Sequence, residues 1–358
     1  MQRVKTTDLD TRSNMAAAGT TRNIQLGPRV VSYPSEQLQQ LEDCNSILHD
    51  VEALHRRMDD KGYLYIRGFH NREEVLQARL AVLNFIRESG ENRLSSTAPW
   101  QDGVLHPGCG VGCVPFMEAS IYDIAKFFLF HDFGNTDLTN SPAIHAVFEG
   151  QRAFGFFEKY FGEKVITFDY KWLRAMPNNG FTGAHVDRVY MGKGSSNLLT
   201  MWTPIGDVPI EMGVLAVCEG SHRLPGFEKF QDTYGNLDVD DANLDGTGWF
   251  TKDPFEITEK FGGRWLTTDF QAGDVLIFPM RTVHMSTTNT TQFARISCDT
   301  RWQPASEQAD SRFMGVRQPV SSQYGLYSND ASLQKNSDSS TGHARRITME
   351  ELRKQWEL

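Results

Sequence analysis

Two hydrophobic rhythms divide the chain. Up to about residue 161 most apolar positions recur three and four residues apart, the period of a helix with one buried face. Residues 35–58 (SEQLQQLEDCNSILHDVEALHRRM) and 71–90 (NREEVLQARLAVLNFIRESG) carry it most clearly. In the second, Asn71 stands where an N-cap belongs and Gly90 where a helix stops. Between them GYLYIRGF (62–69) alternates and predicts a strand. Residues 91–120 are loop-like, and 121–161 are helical in pieces. From residue 164 the period shortens to two. KVITFDYKWLRAM, GAHVDRVY, NLLTMWTPI, GVLAVCEG, RWLTTDF, DVLIFP, VHMSTTN and FARISCDTRW are short β-rich runs separated by turn residues. Such spacing, with almost no helix in between, predicts a sandwich or barrel.

Three segments fall outside these rhythms. Residues 1–34 show little periodicity and predict an arm. Residues 222–263 interrupt the β region with a polar, glycine-containing stretch too long for a plain hairpin, which predicts a lid. Behind a Ser- and Asn-rich linker (321–342), TMEELRKQWEL predicts a short amphipathic helix. The expected division is an arm (1–34), one domain (35–317) with its β part at about 165–305 and its lid at about 222–263, and a C-terminal linker and helix (318–358).

Composition narrows the function classes. With 39% apolar residues, 23 Phe, 10 Tyr and 7 Trp among 358 residues, a sizeable core can be buried. The formal net charge of −9 argues against nucleic acid or an anionic membrane as partner. No apolar run approaches the roughly 20 residues that span a bilayer, and no secretion signal is visible. Five scattered cysteines do not suggest a disulfide framework, so a reducing, cytoplasmic setting is expected.

The candidate chemistry lies in GAHVDRVY. If this run is a strand, His185 and Asp187 project from one face. An imidazole and a carboxylate are two of the ligands that a divalent first-row metal prefers, and two histidines with one carboxylate suit non-haem Fe(II) that must also bind oxygen. The third ligand must come from another strand, and His284 in VHMSTTN is the candidate. If Asn289-Thr290 is a two-residue turn, Arg295 lies opposite His284 and Phe293 opposite Ser286, with Cβ atoms roughly 5 Å apart. A guanidinium would then stand beside the metal, where it could hold the far carboxylate of a chelating acid. Ser286 and Ser297 would add hydroxyl groups on that face.

These residues carry a resemblance. HVD at 185–187, WTPIGD at 202–207, GVLAVCEGSH at 213–222, AGDVLIFP at 272–279 and His284-x-Ser286 with Arg295 resemble the phytanoyl-CoA dioxygenase family of Fe(II)- and 2-oxoglutarate-dependent oxygenases. KGYLYIRGF followed by a long helix is similar to that family's opening. The resemblance spans about residues 55–305. It implies a mainly β fold with flanking helices, a double-stranded β-helix (jelly-roll, cupin-like) barrel. It also implies iron on His185, Asp187 and His284, 2-oxoglutarate on Arg295, a co-substrate contact at Ser286, and Trp202 near that pocket. The implied reaction consumes O2 and 2-oxoglutarate, releases succinate and CO2, and hydroxylates a small-molecule substrate. A carboxylate at position 187, where related halogenases have a small residue, points to oxygenation. The family's lysine contact to 2-oxoglutarate is not assigned to a residue of this chain.

Other readings compete. A metal-dependent cupin-like isomerase or hydrolase would keep the three ligands without needing Arg295, and a barrel that senses 2-oxoglutarate or binds a partner would need no turnover. His106, Cys109 and Cys113 lack the pair spacing and fourth ligand of a zinc site. DANLDG (241–246) copies half a calcium loop but has Lys252 where the bidentate Glu belongs. The acidic residues of 228–259 read first as a solvated loop, and His222 as structural. Arg174, Arg188 and Arg281 are open between the site and ordinary ion pairs, and Tyr190 and Trp249 are weaker candidates for substrate contact.

Overall fold

The computed structural model describes residues 21–88, 93–106, 138–315 and 346–358. The Cys109/Cys113 segment, residues 1–20, Gly90 and the linker lie outside the described residues. Two sheets form the frame. The larger has the order β4 (Leu64–Ile66), β11 (Val275–Pro279), β7 (Leu199–Pro204), β13 (Arg295–Pro304), β5 (Val165–Thr167), with β6 (Trp172–Met176) also on β13. The smaller runs β12 (His284–Ser286), β8 (Leu215–Cys218), β10 (Trp265–Thr267), β3 (Leu38–Gln40). They face each other across an interior in which the His284 ring lies 4.6 Å from the Phe278 ring. The architecture is the expected jelly-roll with flanking helices.

Alternation sorts the larger sheet into two layers. Leu64, Ile66, Leu199, Met201, Val275, Ile277 and Trp302 point outward against α1 (Val51–Lys61) and α4 (Gln151–Phe161). Leu173, Ala175, Ile296 and Cys298 point outward against α2 (Arg72–Glu88) and α3 (Pro142–Phe148). Tyr65, Trp202, Leu276 and Phe278 point inward, into a cluster shared with the smaller sheet. Asn71 caps α2 as expected, its Oδ1 accepting from the amides of Glu73 and Glu74.

Several expectations change. Residues 22–33 are not an arm: β1 (Arg22–Leu26) and β2 (Arg29–Tyr33) form an antiparallel hairpin. It buries Ile24, Leu26, Val31 and Tyr33 in the central cluster. Residues 35–58 are not one helix. Leu38–Gln40 pairs in parallel with Trp265–Thr267, and α1 starts only where Asp50 accepts from the Ala53 amide; Gly62, at φ +74°, ends it.

The segment read as a polar lid contributes an aromatic group to the central cluster. Its elements include α6 (Glu228–Asp232), β9 (Leu244–Asp245) and α7 (Pro254–Phe261). Phe230 lies within 4.9–5.1 Å of the rings of Tyr234, Phe250 and Phe261. Several of its acids are paired, as with Lys193–Asp241 and Arg312–Asp240, both at 2.7 Å. The C-terminal segment docks on it: β14 (Ile347–Thr348) pairs with β9, and α8 (Met349–Gln355) begins with a capping box of Thr348 and Glu351. Among the described residues no helix is long and apolar enough to cross a membrane.

Candidate active site

His185 does not sit in a strand with Asp187. It forms a single bridge to His284, with reciprocal backbone hydrogen bonds of 3.0 and 2.9 Å. The chain then turns, and Asp187 is the N-cap residue of α5 (Arg188–Met191), in helical conformation. Gly183 permits the approach to this point: a side-chain carbon there would stand 2.6 Å from the Trp249 ring. The two ligands that a flat strand would have placed on one face are therefore brought together by a bridge and a helical turn.

The three side chains converge. His185 Nε2 and His284 Nε2 each lie 3.7 Å from Asp187 Oδ1, and one ligand atom from each residue falls within 4.8 Å of the others. All three residues are buried. The imidazole Nδ1 atoms are 2.8 Å from the Gly183 carbonyl and 3.0 Å from the Thr282 carbonyl. A carbonyl only accepts, so each Nδ1 carries the proton and each Nε2 directs its lone pair to the shared point. Burial pushes the His185 pKa down to about 3, which keeps that ring neutral. Burial alone would raise the Asp187 pKa, but the Arg301 guanidinium and the Thr200 hydroxyl overcome it and hold the carboxylate ionised. Two neutral imidazoles tied back through Nδ1 and one carboxylate oxygen fit a divalent metal such as Fe(II).

Arg295 is not opposite His284. His284–Ser286 pairs with Leu215–Cys218 in the smaller sheet, whereas Arg295 pairs with Met176 in the larger. No hairpin joins them, because the amides of Thr287, Thr288, Asn289 and Thr290 bond to Val214, Gln25, Gly180 and Glu211, carrying the chain from one sheet to the other. Phe293 bridges Val104 rather than Ser286. Arg295 is nonetheless on the inward face. It is 2% exposed, and among the described residues its hydrogen-bond partners are the Ser297 hydroxyl and, at 3.1 Å, the Met176 sulphur; Nε has none. Burial and the nearby Arg174 lower its pKa to about 10, so it remains cationic at neutral pH. A buried cation held by neutral groups fits an anionic ligand.

Ser286 accepts from the Thr182 amide at 2.8 Å, which stitches β12 to the segment leading to His185. Trp202 is in register with Asp299 on the inward face, its ring 5.0 Å from Phe270. The other arginines divide. Arg174 pairs with Asp299 on that same face. Arg188 bonds the Gly192 carbonyl, and Arg281 bonds Gln231 and Asn236. The Tyr190 ring lies 5.6 Å from that of His185 and its hydroxyl donates to Thr247 O. His222 meets the Asp59 carbonyl, a structural contact. Arg301 and Thr200 were not anticipated: Arg301 is 3.2 Å from Asp187 Oδ2, and the Thr200 hydroxyl donates to that atom at 2.5 Å. An arginine six residues after Arg295 on one strand was the available signal, since both share a face.

The chain has relatives among known proteins. The chain is 26% identical over 290 residues to 1-deoxypentalenic acid 11-beta-hydroxylase of Streptomyces exfoliatus, covering 76% of this chain and 88% of that protein. It is 26% identical over 283 residues to the protein of the same name from Streptomyces arenae, covering 74% and 85%. Among solved structures it is similar to EctD from S. alaskensis in its apoform, at 16% identity and a TM-score of 0.49, over 84% of this chain and 90% of that one. The profile of the phytanoyl-CoA dioxygenase (PhyH) family matches residues 58–297, more than half of the chain and all of the metal triad. The protein is a non-haem iron, 2-oxoglutarate-dependent dioxygenase of the hydroxylating kind, and the isomerase, hydrolase and non-catalytic readings give way. The chain belongs to the phytanoyl-CoA dioxygenase family.

Proposed function

We propose that His185, Asp187 and His284 hold the Fe(II), that Arg295 with Ser297 binds the C5 carboxylate of 2-oxoglutarate, and that the enzyme hydroxylates an unactivated C–H bond of a small, largely apolar metabolite. One observation carries the residue roles: three convergent ligand atoms and a buried guanidinium with neutral partners share one interior. When bound, Fe(II) with 2-oxoglutarate and O2 supplies an oxidant strong enough to convert C–H to C–OH, with succinate and CO2 as co-products. The protein's part is to position and to exclude water. The backbone carbonyls of Gly183 and Thr282 fix the imidazole tautomers, and Arg295 orients the keto acid through its far end. Ser286 and Trp202 flank the co-substrate. Tyr190, beside His185, and Trp249, against Gly183, give the substrate an aromatic wall. An apolar carbon skeleton suits that wall, and the relatives named for a hydroxylation of 1-deoxypentalenic acid support the same class.

We place the enzyme in a reducing compartment, the cytoplasm, where the buried free thiols of Cys44, Cys218 and Cys298 are at home. Its net charge of −9 supports a small-molecule partner over nucleic acid or membrane. The test is succinate release from 2-oxoglutarate with Fe(II) and no added substrate. Slow release that disappears in Asp187→Ala is expected. Absence of succinate in every condition, including with a panel of terpenoid and other apolar acids, overturns the reading.

A further inference from the structure

We infer that Arg301 is a positioning residue for the metal: together with the Thr200 hydroxyl it takes up Oδ2 of Asp187, so that the carboxylate presents Oδ1 alone. The inference rests on the metal reading proposed above. The two oxygens of Asp187 are sorted in the fold. Both imidazole Nε2 atoms face Oδ1 at 3.7 Å, while Arg301 at 3.2 Å and Thr200 at 2.5 Å face Oδ2. Arg301 and Thr200 are register partners on β13 and β7, so they reach the same atom from one face by construction.

Arg301 is itself immobilised. Its guanidinium carbon lies 4.4 Å from the Trp172 ring centroid, and its Nε donates to the Met191 sulphur at 3.0 Å. Met191 ends the helical turn that Asp187 begins, so one side chain from a strand grips both ends of that turn. The same strand carries Arg295 on the same face, which gives metal ligand and co-substrate anchor a common rigid support. A carboxylate with both oxygens free can close on a metal through two bonds and occupy a position that the co-substrate or oxygen requires. A carboxylate with Oδ2 already engaged by two donors has one oxygen to offer.

The experiment uses Co(II) as a probe on the full-length protein, following its visible absorption during titration. The variants are Arg301→Met, Arg301→Lys and Thr200→Val. The expected results are Co(II) binding on the order of 10- to 100-fold weaker in Arg301→Met, a several-fold loss in Thr200→Val, and partial recovery in Arg301→Lys. The variant spectra should also lose intensity, the mark of a higher coordination number. Thr200→Val conserves shape and keeps the test sound if Arg301→Met does not fold. Folded variants that bind Co(II) with the wild-type affinity and spectrum overturn the inference while leaving the metal site standing. A wild-type chain that binds no Co(II) overturns the metal reading and this inference with it.

Discussion

The two faces of β13 are equally buried and differ in everything else. All ten residues of Arg295–Pro304 are buried. Outward, Ile296 and Cys298 join the cluster of α2 and α3, and Trp302 stacks on Phe157 of α4 at 4.6 Å. Inward stand Arg295, Ser297, Asp299 and Arg301, on the face that meets the triad. Burying an arginine or aspartate costs several kcal/mol unless it is paired, whereas burying a tryptophan stabilises. Burial therefore says nothing about role; the polarity of what is buried does. The outward face supplies stability that the inward face spends on holding charges in place.

The comparison breaks most visibly at Trp302. Trp302→Ala removes the ring that stacks on Phe157 and meets Phe154 edge-on and is expected to cost about 3–5 kcal/mol of stability by denaturant unfolding. Succinate release per folded molecule should stay at the wild-type rate. Arg295→Met should do the opposite. Loss of the guanidinium weakens 2-oxoglutarate binding by about 2–5 kcal/mol, seen as a raised KM. The metal-free protein should hold or gain stability, since a buried cation with neutral partners is gone. An unfolding midpoint that drops as far as in Trp302→Ala would erase the distinction between the faces.

A titratable group in the outer layer gives a pH-dependent version. His70 is 5% exposed, lies 4.8 Å from the Phe69 ring, and its Nε2 has no hydrogen-bond partner among the described residues. Burial, with the nearby Arg152 charge, pushes its pKa down to about 3 from the ordinary 6.5. The unfolded chain takes up a proton below about pH 6.5 that the folded chain refuses until about pH 3. Its contribution is thus intact above pH 6.5 and falls through that window by roughly 1.4 kcal/mol per unit. Between pH 7 and pH 5 the wild type should lose about 2 kcal/mol that His70→Leu does not. Equal losses in urea unfolding would mean that the ring titrates normally.

The two faces also differed in how far the sequence exposed them. Strands were legible because alternation is local, and the runs around Leu199–Pro204, Val275–Pro279 and Arg295–Pro304 fall where the period of two places them. His185, Asp187, His284 and Arg295 were legible because such residue types rarely occur inside apolar runs. Their geometry was not. Asp187 opens a helical turn, and Thr287–Thr290 bonds to four separate segments, both decided by partners distant in sequence. Arg301 and Thr200 meet only through the register of β13 on β7, which no local pattern records. The insertion hid its share of the central core because Phe227, Phe230, Tyr234, Phe250 and Phe261 are scattered among acids that dominate any running average.

The smallest effect is the sharpest test, because it moves one residue along the strand. Ile296→Val removes one methylene from the outward layer and should cost about 1 kcal/mol of stability with no change in KM for 2-oxoglutarate. Ser297→Ala removes the hydroxyl that accepts from Arg295 and leaves a buried guanidinium N–H without it, so it too should cost about 1 kcal/mol of stability. It deprives the guanidinium of an oxygen that fixes its direction, so the 2-oxoglutarate KM should rise several-fold, the equivalent of about 1 kcal/mol. Neighbours on one strand, similar in their effect on stability, then differ in whether KM responds. If both substitutions move stability and neither moves KM, the inward face is ordinary core, and Arg295 is held there for packing rather than for an acid.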